Sequence, residues 1–520
     1  MKLIITFLTI LSLTLSHQIK ASEEPFPKPS KKADLYLAHY ENVLGTALEM
    51  KFLAYQESDA KQAETAALSE IERLSKVFSA YDPSSEFNQW KNLGVNEELK
   101  VSGELYEMFR LFESWKLKTN GALNANIGLA SKIWLESSKL NKLPSASILG
   151  RAVQSMENTA YKLNESAQSI TKLREADLLM NSFAKSYIIQ KATYKAKLAG
   201  NLENVIINIG GDLVVSGTES ERIYLINPFD AAENAKPLTQ IEVQNKAVAT
   251  SGDYRRGVQI GSQWYSHIID PRTANPVSAI VSATVIANDA NTAGALATAF
   301  NILTLPEIES LKATHEDVEY LIVFKTGEIV KSKGWASYEI NSADEINFKE
   351  LSGAVDIKPN TVPHKFNAKD WDPRFELEIS FNFNAISGNM RRPFVAIWVE
   401  DSNRKAVRNL ALLYNKTKWV PDLRNWYRIN GEAFKANKES YASVTGATKS
   451  PGKYVIKWDG KDNQGKYVPQ GKYTVLIETS KEHGTDEFLK QSLDLKKTAH
   501  KVNNNGNVEI SNVVFEFKKK

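Results

Sequence analysis

The chain has 520 residues, 42% hydrophobic and 10% aromatic, which excludes a largely disordered polypeptide and, at roughly 150 residues per domain, predicts two to four domains. Its 65 basic and 61 acidic residues leave a net charge of +4 with no concentrated basic patch, so nucleic acid is excluded as the expected partner. The absence of cysteine excludes disulfides, thiolate metal sites, a thiol nucleophile and a lipid-modified N-terminal cysteine.

Met1-Lys2, an apolar run from Leu3 to Leu15 and a small residue at Ala21 read as a cleaved signal peptide over residues 1–21, with an uncleaved anchor as the alternative. The run is shorter than the ~20 residues a membrane helix needs. The mature protein is therefore expected in the periplasm or secreted, with no stable membrane span. Residues 22–33, rich in Pro, Lys and Ser, read as a leader.

Residues 34–338 form the first predicted domain, α+β in class. Ala67, Ile71, Leu74 and Phe78 give Glu64 to Phe78 a helical period, and Leu105 to Leu117 repeats it. Val205 to Ile209 and Leu213 to Val215 read as strands around a Gly-Gly turn. Ala283 to Ala287 is a further strand, followed by a helix from Thr292 to Leu303. Glu319 to Lys325 and Glu328 to Lys331 form a hairpin around Thr326-Gly327. The polar stretch 339–372 reads as a linker. From 373 to 520 the pattern predicts an all-β sandwich: Phe375, Leu377, Ile379 and Phe381 alternate with polar residues, as do Val395, Ile397 and Val399, and the turn Trp458 to Gly465 is rich in Asp, Asn and Gly.

Four short segments carry chemistry. Asn208-Ile209-Gly210-Gly211-Asp212 has paired glycines that let a backbone approach a ligand, or simply make a tight turn. Ala249 to Gly257 contains Ser251, Gly252, Asp253 and Arg255; its backbone N–H and guanidinium groups are donors suited to a phosphate, or the segment is a solvated hairpin edge. His267 and Asp270 stand three apart before Pro271, where they could orient one another or belong to a structural turn. Thr292 to Phe300 is dense in small residues, which suits close packing against a ligand or within a core.

Upstream lie Leu44-Gly45-Thr46, Phe78 to Glu86, Gly121-Ala122-Leu123-Asn124 and Ala184-Lys185-Ser186-Tyr187. In this order and spacing the segments resemble the FAD:protein FMN transferase family over the whole first domain. The resemblance implies an enzyme that cleaves the pyrophosphate of FAD, attaches FMN to a Thr of an exported acceptor protein bearing a [S/T]-G-A-[S/T] motif, and releases AMP, with Mg²⁺ across the phosphates. It places FAD against Gly121, Ala122, Leu123, Asn124, Lys185, Gly210, Gly211, Ser251, Gly252, Asp253 and Arg255. Catalytic roles fall to His267, Asp270 and Lys185, and metal ligation to the Ala184 carbonyl and Thr298.

The chain departs from the family pattern at five places. Gly294 stands where the family has a metal-binding Asp, Ser186 and Ala274 where it has Gly, Asn124 where it has Asp, and Gln190 where Asp is common. Mg²⁺ favours hard oxygen ligands, usually including a carboxylate; Asp289, Asp177 or bound water would have to substitute. Gly294 therefore opens an alternative, a catalytically degenerate flavin-binding or flavin-carrying envelope protein. A third reading is an envelope binding or assembly module acting through the β-domain.

That β-domain, through Arg392 to Glu400, Lys418-Trp419, Trp426-Tyr427 and Trp458-Asp459-Gly460, resembles an uncharacterised exported domain often fused behind the transferase; the last turn is also similar to immunoglobulin-like modules of flagellar-hook capping proteins. Within it Ser443 to Thr448 matches the acceptor motif, which makes Thr448 a candidate self-acceptor; an ordinary loop before a strand is the alternative.

Overall fold

The computed structural model describes residues 33–340 and 371–520, apart from 231, 254–255, 385–391, 439–440, 442–443, 447, 450, 482–485 and 497, and the side chains of 41–42. Short β-branched runs and segments of helical period sort into separate layers in the first domain. An eight-stranded sheet joins β1 (Asp34–Val43), β2 (Thr46–Ala54), β3 (Leu202–Ile209), β4 (Asp212–Gly217), β5 (Lys246–Gly252), β6 (Ile280–Ala287), β7 (Glu319–Phe324) and β8 (Ile329–Lys331), in that order. Every neighbouring pair is antiparallel. Three helices, α1 (Glu57–Phe78), α2 (Ala184–Ala199) and α3 (Ala290–Phe300), belong to the core that covers one face.

That core takes Leu48, Met50 and Phe52 from β2, Ile207 from β3, and Ala283 and Val285 from β6. The opposite face is covered by a smaller cluster in which Ile206, Val215, Val248, Ile286 and Leu321 meet Trp335. β6 lies between both and is buried along its whole length, which is why its sequence is a continuous run of small and apolar residues. The α+β class predicted from the sequence holds. α3 is made of small residues because it packs directly on β5 and β6, and Ala293, Gly294, Ala295, Ala297 and Ala299 are all buried there.

The second domain is a sandwich. A four-stranded sheet orders β13 (Gly452–Trp458), β9 (Phe375–Phe383), β17 (Ile510–Lys519) and β16 (His500–Gly506). A five-stranded sheet orders β12 (Thr445–Gly446), β11 (Ala406–Leu413), β10 (Phe394–Glu400), β14 (Gly471–Ser480) and β15 (Asp486–Leu495). Trp371, Leu377, Ile379, Val395, Ile397, Trp458 and Phe515 form the core between them. The all-β expectation needs one correction: α4 (Arg424–Ala436) covers the outer face of the five-stranded sheet, burying Trp426 and Phe434 against Trp398, Leu412 and Tyr414. Its first turn is held by buried Glu478, which accepts hydrogen bonds from the backbone N–H groups of Asn425 at 2.9 Å and Trp426 at 2.8 Å. A carboxylate is favourable at that positive helix end.

Among the described residues the two domains touch at two places. The His39 N–H donates to the Asn415 carbonyl at 2.6 Å, and the His39 ring meets Tyr414 edge-on at 5.2 Å between centroids. Elsewhere Asn234 exchanges two hydrogen bonds with the backbone of Lys457, at 2.6 and 2.7 Å, while the Lys457 ammonium lies 3.0 Å from Asp230.

Candidate functional site

The Gly-Gly turn links β3 to β4. Gly210 has φ +63 and Gly211 φ +101, backbone that glycine adopts without steric cost. A Cβ on Gly210 would also come within 2.7 Å of Thr46, so the predicted Gly-Thr strand and the Gly-Gly turn are one packing unit. A Cβ on Gly211 would lie 3.7 Å from the Thr250 carbonyl. The turn therefore sits beside the Thr-Ser-Gly segment of β5, which Asn301 at the end of α3 anchors by donating to the Ser251 carbonyl at 3.0 Å.

The next residue, Asp212, reaches across to α2. Ser186 Oγ donates to Asp212 Oδ2 at 2.7 Å. Burial pushes the Asp212 carboxyl up to about 6, against the Ser186 hydrogen bond and the Lys185 charge, which favour its ionised form. The Lys185 pKa is lowered by burial and by the nearby Arg256 guanidinium, with Asp212 opposing. On the other side of Ser186 stands Gly294: a Cβ there would fall 2.0 Å from Ser186 Oγ and 2.8 Å from its Cβ.

A divalent ion, which the resemblance implies, needs oxygen donors free to turn toward it. At this junction the side-chain oxygens hydrogen-bond within the protein. Thr298 Oγ1 donates to the Ser182 carbonyl at 3.0 Å, Gln190 Oε1 accepts from the Ala290 N–H at 2.9 Å, and Asp289 caps α3 by accepting from Thr292 at 2.9 Å. Asp177 pairs with Lys132. Among the described residues no group of three or more His, Asp or Glu side chains is arranged to hold a metal. The donor set does not fit the family's ion at position 294.

The His267 expectation is corrected in detail. Asp270 does not orient the imidazole: it forms a multidentate pair with Arg272 two residues on, with Nε–Oδ1 at 2.9 Å, and Arg272 also reaches Glu307 at 2.7 Å. His267 Nδ1 instead faces the Arg256 carbonyl at 3.1 Å. A carbonyl only accepts, so Nδ1 carries the proton and Nε2 keeps the lone pair. One edge of the ring is open to solvent, yet desolvation by the surrounding protein lowers its pKa below the ordinary 6.5. The charges of Arg256 and Lys185 add to this, and the Arg256 carbonyl and Asp253 oppose it. Ala274, where the family has Gly, takes φ +57 and is fully buried, its carbonyl accepting from Trp134 Nε1 at 2.8 Å.

Other predicted residues lie where their side chains are already engaged. Gly121 (φ +81) is next to Arg272; a Cβ on this glycine would lie 3.7 Å from Arg272 Cγ. Ala122 and Leu123 belong to the core, and Asn124 bonds the Met156 carbonyl at 3.0 Å while capping a short 3-10 turn. Asp253 is buried and 3.0 Å from Lys325, so its charge is met inside the protein. Gly252 pairs with Ser282 in the β5–β6 ladder. Arg255 lies outside the described residues. Two residues to which the sequence assigned no role, Asp212 and Arg256, complete the cluster; both lie inside motifs already singled out. Thr448, the candidate self-acceptor, is a buried residue, 5% exposed.

The ApbE family model matches residues 44–322, more than half of the chain, and the chain belongs to that family. Residues 376–512 match a second model, described as a predicted periplasmic protein of type DUF2271. The chain is 26% identical over 306 residues to an FAD:protein FMN transferase of Vibrio cholerae, covering 57% of this chain and 90% of that protein. It is 25% identical over 298 residues to one of Haemophilus influenzae, covering 54% and 84%. It resembles the crystal structure of an ApbE protein from Thermotoga maritima with a TM-score of 0.54 and 23% identity, over 59% of this chain and all of that one. That likeness supports the fold of the first domain. No helix among the described residues is long and apolar enough to cross a membrane.

Proposed function

We propose that this chain is an exported FAD:protein FMN transferase. The observation that carries the reading is a convergence. The Asp212 carboxylate, next to the Gly210-Gly211 turn, meets Ser186 of the Ala-Lys-Ser-Tyr segment directly against α3, with Thr250 alongside. Four separated motifs thus form one site.

FAD would lie along the Gly210-Gly211 turn and Ser251, with its pyrophosphate toward Lys185 and Arg256. In the transfer, the acceptor Thr oxygen forms a bond to the FMN phosphorus, the bridging P–O bond breaks, and AMP leaves. Phosphoryl transfer of this kind is chiefly positioning and charge neutralisation. His267 suits the proton's destination: its Nε2 is unprotonated in the tautomer fixed by Arg256, and the ring edge is open to a protein substrate. Asp270 would act only by fixing Arg272 and the turn. Export rests on the N-terminal apolar segment, which lies outside the described residues, and on the periplasmic description of the second family model.

The test incubates mature protein with FAD and an acceptor protein carrying the [S/T]-G-A-[S/T] motif. Covalent flavin fluorescence on the acceptor with equimolar AMP is expected. Tight FAD binding with no AMP would point to the flavin-binding alternative, and no FAD binding at all would overturn both.

A further inference from the structure

We infer that this chain holds the pyrophosphate of FAD without a divalent ion at the junction of α2 and α3, with the side chains of Lys185 and Arg256 supplying the positive charge. The inference rests on the flavin-site reading above and specifies how that site meets its anion.

Three observations carry it. First, the volume is gone. No side chain fits at position 294 while Ser186 is present, because a Cβ would stand 2.0 Å from Ser186 Oγ. Ser186 is itself 1% exposed, and turning its hydroxyl away would break its hydrogen bond to Asp212. Second, the remaining side-chain oxygens bond within the protein: Ser186 donates to Asp212 and Gln190 accepts at the α3 N-terminus, while Thr298 donates to Ser182 and supplies no carboxylate. One carboxylate, Asp212, is left, and a hydrated Mg²⁺ bound through a single protein carboxylate is weakly held unless substrate phosphates complete it.

Third, two cationic residues adjoin the junction in the fold. Lys185 immediately precedes Ser186 in α2, and Arg256 holds His267 through its backbone carbonyl at 3.1 Å; its charge also lowers the pKa of Lys185 and of His267. Lys325 is nearby but satisfied by Asp253 at 3.0 Å. The Lys185 charge is met by Asp212, which adjoins it through Ser186, and is opposed by that of Arg256. A pyrophosphate entering between them would relieve their mutual repulsion, and a guanidinium suits phosphate oxygens in paired contacts.

The experiment uses the mature wild-type protein and needs no variant for its main result. FAD affinity is measured in excess EDTA and in excess Mg²⁺, and Mn²⁺ alone is titrated against the protein by electron paramagnetic resonance. Equal FAD affinity in both buffers and no stoichiometric Mn²⁺ binding are expected. FAD binding that falls by about tenfold or more in EDTA, or one tightly bound Mn²⁺, would overturn the inference and leave the transferase reading standing. FAD binding in neither buffer would overturn the reading and the inference with it. Lys185→Gln and Arg256→Gln should each weaken FAD binding in EDTA by about tenfold, the loss of one charged hydrogen bond. Riboflavin, which lacks the phosphates, should bind unchanged. If riboflavin weakens equally, the two cations do not serve the pyrophosphate. The double variant Ser186→Gly with Gly294→Asp should gain Mn²⁺ binding that the wild type lacks.

Discussion

Ser186 occupies the space that a side chain on residue 294 would need, its hydroxyl 2.0 Å from a Cβ placed on Gly294. The two departures from the family pattern therefore belong together as an exchange of volume across the α2–α3 contact. Gly294→Ala alone should destabilise the first domain by about 1–3 kcal/mol through overpacking. Adding Ser186→Gly should recover most of that loss, giving a favourable coupling energy in a double-mutant cycle. Thermal denaturation reads both. A neutral Gly294→Ala on the wild-type background would show that the contact yields freely. Gly294→Asp alone should likewise fail to restore a metal site, because its carboxylate has nowhere to go.

His267 should give the transfer reaction an acid limb. Its pKa is lowered from 6.5, chiefly by desolvation, so the neutral imidazole needed to take a proton prevails at neutral pH. The rate should fall as pH drops through a midpoint below 6.5. Asp212 also titrates near this range, at about 6, and the two are separable. His267→Gln should lower the rate by roughly 10²-fold or more, the usual scale of a lost general base, and abolish the limb. Asp212→Asn should leave the limb in place. The reverse pattern would assign the proton to Asp212.

Much of this site was legible because it depends on backbone. Paired glycines at 210 and 211 and the small-residue run of α3 have few uses other than a tight turn and a close helix contact, and both took those forms. Side-chain direction was not legible. His267 and Asp270 are three apart in a turn, a spacing that does not fix whether two side chains meet; Asp270 found Arg272 and His267 found a carbonyl. Ser186 read as a loss, because its partner Gly294 is distant in sequence and only packing joins them. α4 was missed although Trp426, Asn430 and Phe434 recur at helical spacing on its buried side. Gly431 in its middle, unfavourable by about 1 kcal/mol relative to Ala, and the surrounding strand pattern obscured it.

Asn234 should couple the unfolding of the two domains. Its amide both donates to and accepts from the Lys457 backbone, at 2.6 and 2.7 Å. Asn234→Ala removes both bonds and should weaken docking by about 1–3 kcal/mol. Calorimetry should then resolve two transitions further apart than in the wild type. An unchanged profile would mean that the contact at His39 and Asn415 suffices.

Thr448 should remain unmodified. At 5% exposure its hydroxyl would have to leave a packed edge before another active site could reach it. Peptide mass spectrometry of protein exported from flavinylating cells should show no FMN on the Thr448 peptide, and Thr448→Val should not change total covalent flavin. An FMN adduct there would mean that this edge opens in solution.

Asp212 should make stability depend on pH in a direction opposite to that of most carboxylates. Its folded-state pKa is raised from 3.8 to about 6 by burial, so the folded protein binds this proton more tightly than the unfolded chain does. The stability linked to that proton is fully present below 3.8 and is lost as pH rises through about 6. Asp212→Asn keeps an acceptor for Ser186 and removes the buried charge. Melting temperatures should therefore rise for the variant at pH values well above 6 and match the wild type in the acid range, where Asp212 is already neutral. A variant that is destabilised at high pH would show that Lys185 compensates the Asp212 charge fully, and that the pair holds this end of the site together as ions.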